Sequence, residues 1–156
     1  MPFALAAVAD TDALARVLAP CLAVGDRLLI DGELGAGKTT FARALVAALG
    51  GDAAAVTSPT FALMQRYAAR VPVVHVDAWR LRDGGELAGI GFDEAAAEAV
   101  AIVEWAARVL PASPAAWRIR LEHDGVGGRR AHVEPPAAMA ESWLQAAAPL
   151  RSIAVP

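Results

Sequence analysis

The sequence has no asparagine, a single lysine, a single cysteine and no long hydrophobic run free of charge. Each scarcity excludes something. Without asparagine the Asn-Lys-x-Asp sequence that reads guanine in GTPases cannot be present. The lone Cys21 can form no internal disulfide, so a reducing, cytoplasmic compartment is expected and Cys21 reads as a small buried apolar residue. No stretch of about 18 apolar residues lacks charge, and the first residues lack a basic start, so neither a membrane span nor a signal peptide is expected. Basic tails and basic stripes are also missing, and the net charge is −3. Autonomous binding to nucleic acid is therefore not expected.

The scarcity of lysine is itself informative. Thirteen of the fourteen basic side chains are arginine, and the exception, Lys38, lies in Gly32-Glu-Leu-Gly-Ala-Gly37-Lys38-Thr39. Where any positive charge serves, this chain uses arginine. Position 38 instead has a compact ammonium on a flexible stem, which fits a phosphate cradle differently from a planar guanidinium. The pattern G-x-x-x-x-G-K-[ST] is that of the P-loop.

With 156 residues, 56% hydrophobic and 20% charged, the chain reads as one globular domain over residues 1–156, with residues 136–156 as a C-terminal helix and tail. Leu14, Val17, Leu18, Cys21 and Leu22 recur at helical spacing after Asp10-Thr11-Asp12, a candidate cap, and Pro20 should end or kink that helix. Residues 27–31 form a short apolar strand leading into the P-loop. Residues 38–49 read as a helix stopped by Gly50-Gly51. Strands are expected at 61–67 and 71–77, the latter an edge strand or a strand start because of Pro72. Asp83-Gly84-Gly85 reads as a loop, followed by short helical pieces at 86–87 and 93–99. The apolar run Val100 to Glu104 is a buried parallel strand. Residues 117–123 and 129–134 form an antiparallel hairpin about Gly125–Gly128. Residues 137–148 form a weak helix.

A triphosphate needs many donors at once and no bulky side chains in the way. Glycines 32, 35 and 37 let the backbone wrap it, and amides from Gly35 to Thr40 can converge at a helix N-terminus. The nucleotide-binding stretch is thus Glu33, Leu34, Gly35, Ala36, Gly37, Lys38, Thr39 and Thr40. Lys38 reaches the β- and γ-phosphates, the Thr39 hydroxyl ligates Mg²⁺, and Thr40 touches the α-phosphate. Magnesium needs an acid as well. Asp77 and Glu104 each end an apolar strand, so Lys38, Asp77 and Glu104 are the candidate catalytic set, and Thr39, Glu104 and Asp77 the candidate metal set. Sequence alone leaves open which acid holds the metal and which orients the attacking water. Thr60, read from Thr57-Ser58-Pro59-Thr60 alone, is turn chemistry. His75 shares a strand face with Asp77 and reads as packing, Trp105 as core or a stacking surface, with core preferred, and Arg129-Arg130 as a solvated hairpin edge. With no guanine reader, the nucleotide is expected to be ATP.

Gly32 to Phe41, Ser58-Pro-Thr-Phe61 with Tyr67, His75-Val-Asp77-x-x-Arg80-Leu81, Glu86-Leu87, Gly91-Phe-Asp-Glu94 and Val103-Glu104-Trp105 occur in that order. The set resembles the TsaE family (also called YjeE), small bacterial ATPases of tRNA threonylcarbamoyladenosine biosynthesis. The resemblance runs from about residue 10 to about residue 134. It implies a three-layer α/β P-loop domain with a mixed sheet, a parallel core plus antiparallel strands. It implies an ATPase, slow alone and stimulated by partners, whose hydrolysis resets a complex of TsaB and TsaD homologues. That complex modifies adenosine 37 of tRNAs that read codons starting with A, so tRNA is met only through it. By the same resemblance Thr60 becomes a nucleotide-site residue, Glu104 the Walker B-like metal-site acid, and Asp77 a residue of catalysis or metal binding. Trp79, Glu33 and Ala107 depart from the residues common in the family at those places. The alternative class is a small P-loop kinase acting on a metabolite, which needs an arginine-bearing lid; Arg129-Arg130 is a poor candidate for one.

Overall fold

The computed structural model describes residues 1–57, 63–125 and 127–154. Among these, seven strands form one mixed sheet: β1 (Pro2–Leu5), β2 (Arg27–Gly32), β3 (Met64–Tyr67), β4 (Val73–Asp77), β5 (Val100–Glu104), β6 (Trp117–His123) and β7 (Arg129–Glu134). Their order is β1-β7-β6-β2-β5-β4-β3. The four central strands β6, β2, β5 and β4 run parallel, while β7, β1 and β3 are antiparallel to their neighbours. Helices α1 (Val8–Leu18), α2 (Lys38–Ala48) and α5 (Ala140–Ala146) pack on one face, and α3 (Gly84–Gly89) and α4 (Phe92–Ala97) on the other. This is the expected three-layer arrangement.

The central strands are apolar on both sides because both faces are covered. In β5, Val100 and Ile102 join the cluster under α1 and α2, whereas Ala101 and Val103 join the cluster under α3 and α4. In β4, Val73 faces α2 and Val74 and Val76 face away. The two-residue period then puts His75, Asp77 and Glu104 on the α2 side.

Several expectations need correction. Helix α1 begins at Val8, two residues before Asp10-Thr11-Asp12, because Asp10 works from the third helical position and accepts the Ala7 N–H at 2.9 Å. It ends before Pro20, as expected, in a 3-10 turn at Ala19–Cys21. Strand β1 was not foreseen; it exists through pairing with β7. Pro72 precedes a strand that lies inside the sheet between β3 and β5, so the edge reading fails and the strand-start reading holds. Gly84 and Gly85 belong to α3, because the Asp83 carboxylate caps the helix by accepting the Glu86 N–H at 3.0 Å. The strand expected at 61–67 is described from Met64 onward.

The C-terminal segment contributes packing. Trp143 of α5 is buried and meets Phe3 and Trp117 edge-on, at ring separations of 6.0 and 5.6 Å. It ties the segment to β1 and β6. Cys21 packs half-buried against the same cluster, and burial raises its thiol pKa, as suits an inert side chain. No helix among the described residues is long and apolar enough to cross a membrane.

Candidate nucleotide site

The carboxyl ends of β2, β4 and β5 meet at one edge of the sheet, the place where open parallel sheets bind ligands. Asp77 and Glu104 are direct neighbours across β4 and β5, and Glu104 lies opposite Ile30 of β2, two residues before the P-loop begins. Gly32 is required by close approach. A Cβ there would stand 2.2 Å from the Leu121 carbonyl oxygen on β6. Gly37 at φ +99° sets the left-handed step into α2. Gly32→Ala is expected to lower stability by about 1–3 kcal/mol through overpacking, read as a lower urea midpoint. An unchanged midpoint would mean that β2 and β6 are not in this contact.

Lys38 is buried, and its ammonium donates to the carbonyls of Gly32 and Glu33, both at 2.8 Å. The same nitrogen stands 3.6 Å above the centre of the Trp105 ring. Burial lowers the Lys38 pKa, and the nearby charges of Glu104, Asp77 and Asp31 partly offset this. Trp105 adopts a left-handed backbone, φ +59°. Such geometry costs a non-glycine residue about 1–3 kcal/mol and gathers at functional sites. Here it carries the ring beneath Lys38 and lets the Ala107 N–H reach the Asp31 carboxylate at 3.0 Å. Trp105 is thus a half-buried platform rather than core, and the Trp79 ring lies beside it, tilted by 51° with centres 4.6 Å apart.

The Thr39 hydroxyl lies 3.0 Å from both carboxylate oxygens of Glu104. His75, fully buried, places Nε2 2.8 Å from Glu104 Oε1. Asp77 Oδ1 accepts the Trp79 N–H at 2.9 Å and caps the 3-10 turn Ala78–Arg80. A cavity of about 280 Å³ is lined by Leu34, Gly35, Gly37, Lys38, Thr39, Thr40, Asp77, Glu104 and Trp105. Of the residues expected from sequence, Glu33 contributes its backbone carbonyl, which accepts from both Lys38 and the Ala36 N–H, the latter at 3.1 Å. Ala36 itself forms part of an adjoining cavity. Thr60 lies outside the described residues.

That adjoining cavity, about 300 Å³, shares Gly35, Gly37 and Thr40 with the first. Its far wall is the segment Leu5 to Val8, the buried Thr11, Gly127, Gly128 and Arg129. The Arg129 guanidinium donates to the carbonyls of Gly35, Gly127 and Gly128 at 2.9–3.2 Å, clasping the hairpin turn to the P-loop. Arg129 is therefore not the solvated hairpin edge expected from sequence. No local signal marks it, since its position depends on β6 lying beside β2. Arg82, five residues after Asp77, pairs with Glu86 on the surface.

Residues 5–131 match the family model described as threonylcarbamoyl adenosine biosynthesis protein TsaE. The chain belongs to the TsaE family. Similar relatives carrying the name tRNA threonylcarbamoyladenosine biosynthesis protein TsaE include that of Streptomyces coelicolor, 44% identical over 59% of this chain and 64% of the relative. That of Rickettsia conorii is 38% identical over 62% of this chain and 55% of the relative, and that of Bacillus subtilis 39% over 62% and 61%. The chain thus spans less than two thirds of these TsaE relatives. The crystal structure of YdiB from Bacillus subtilis superposes with a TM-score of 0.71 over 93% of this chain and 91% of that one; at 24% identity it speaks for the fold.

Proposed function

We propose that the chain binds ATP with Mg²⁺ and hydrolyses it slowly, as an accessory subunit of the assembly that makes threonylcarbamoyladenosine at position 37 of tRNAs reading codons that begin with A. The observation that carries the reading is the contact of Thr39 with Glu104 beside the buried Lys38, in a cavity that shares Gly35, Gly37 and Thr40 with a second one of about 300 Å³. The two cavities divide the labour. The first holds the phosphates against Lys38 and the P-loop amides. The second holds the adenosine between Thr11, the 5–8 backbone and the Arg129-tethered turn.

The residues present fit magnesium. The ion keeps several waters and takes one or two protein oxygens together with the phosphates. Thr39 and Glu104 offer such a pair, and the described residues contain no cage of three or more His, Cys, Asp or Glu. Bound there, Mg²⁺ would neutralise charge on the phosphates. Glu104 is the metal-side acid because it touches Thr39. Asp77, beside it on β4, is the acid that orients water at the terminal phosphate. Lys38 stabilises the charge that grows on the leaving phosphate oxygens.

Family membership supports the cellular role, and partners homologous to TsaB and TsaD would turn the nucleotide state into a reset of the complex. The test is phosphate release by the purified chain with ATP·Mg²⁺, alone and with TsaB and TsaD. Slow release that the pair accelerates is expected. Phosphoryl transfer to a metabolite, indifferent to the pair, would favour a kinase.

A further inference from the structure

We infer that His75 is a positioning residue, which fixes the Glu104 carboxylate in the orientation that receives a nucleotide-bound divalent cation; this rests on the ATP·Mg²⁺ reading above. His75 lies on β4 two residues before Asp77, which is the direct neighbour of Glu104 on β5. That makes His75 and Glu104 diagonal neighbours on one sheet face, within reach for long side chains. Nε2 meets Oε1 at 2.8 Å, with both groups almost wholly buried. A carboxylate only accepts, so Nε2 carries the proton and donates. The other ring nitrogen, Nδ1, has no hydrogen-bond partner among the described residues.

Among the described residues the ring therefore has one polar task. Leaving a buried polar atom unpaired costs about 1–3 kcal/mol, a cost that an apolar side chain at position 75 would avoid. The neighbours Val74, Val76 and Ile102 show that apolar residues pack at this depth. The contact does something that packing does not. Glu104 has several rotatable bonds, and ordering a long side chain opposes any ligand that needs it still. With Oε1 held by His75, the carboxylate keeps its place when the Thr39 hydroxyl, now shared between both oxygens, turns its lone pairs toward a cation. The nucleotide's other contacts, Lys38 and the P-loop amides, do not pass through His75.

The test uses two amides of similar size. In His75→Gln the side-chain nitrogen reaches the Nε2 position; in His75→Asn it stops near Nδ1, out of reach of Glu104. Calorimetry on the full chain gives the factor by which Mg²⁺ tightens ATP binding relative to EDTA. His75→Gln should keep that factor within about threefold, and His75→Asn should lose about tenfold of it while its affinity in EDTA stays unchanged, the size expected for one hydrogen bond to a charged group. An undiminished factor in His75→Asn would overturn the assignment. So would an equal loss in both variants, which would point to packing. A wild-type chain that binds ATP but gains nothing from Mg²⁺, or binds no ATP, would remove the underlying reading instead, and the assignment with it.

Discussion

Lys38→Ala is expected to weaken ATP·Mg²⁺ binding by about 10- to 100-fold, the worth of one charge-assisted hydrogen bond to phosphate. The structure gives the reason. The ammonium is already buried at the cavity wall, held by two P-loop carbonyls and the Trp105 ring, so little ordering remains when phosphate arrives. Lys38→Arg is expected to restore little, although arginine is the usual cation of this chain. A planar guanidinium cannot share one compact nitrogen among two carbonyls, a ring face and a phosphate. Titration calorimetry on both variants checks this. Wild-type affinity in Lys38→Ala would remove the residue from the site.

Glu104→Gln is expected to lower Mg²⁺-dependent ATP turnover by about 100-fold or more, comparable to the loss of one preorganised electrostatic contact in other enzymes. ATP affinity measured in EDTA should change little, because the phosphate contacts come from the loop and Lys38. The amide is close in shape to the carboxylate and can still accept from His75, so the fold should survive. Glu104→Ala is a harsher change. It leaves the His75 Nε2–H and the Thr39 hydroxyl without their partner, and each unpaired group costs about 1–3 kcal/mol. Turnover unaffected in Glu104→Gln but abolished in Asp77→Asn would reverse the roles given to the two acids.

What could be read from sequence were the features fixed by a few adjacent residues. The strand into the P-loop, the helix from Lys38, the apolar β5 ending in Glu104 and the β6–β7 hairpin all have local periodicity or turn chemistry, and all are present. The misreadings came where longer-range partners decide. Strand β1 has four residues starting at a proline and is set by pairing with β7. Gly84-Gly85 looked like a loop because the capping Asp83 outweighs the low helix propensity of glycine only in place.

The same division holds for the site. Lys38, Thr39 and Glu104 carry a motif or a strand-end acid that any reading finds. The His75–Glu104 contact joins residues 29 apart and requires the register of β4 on β5. Arg129 reaches Gly35 across 94 residues, through the placement of β6 next to β2. Trp105 looked like core because its apolar bulk is visible in sequence, whereas its left-handed backbone is not.

The central claim is that residues 32–40 close their main-chain amides and one ammonium around a polyphosphate. Titrating ATP with Mg²⁺ into the wild-type chain, alone and together with TsaB and TsaD, tests it most directly. The account predicts saturable heat at one site per chain, abolished by excess ADP and insensitive to GTP. Absence of any binding heat at millimolar nucleotide, in the isolated chain and in the assembly alike, would contradict it.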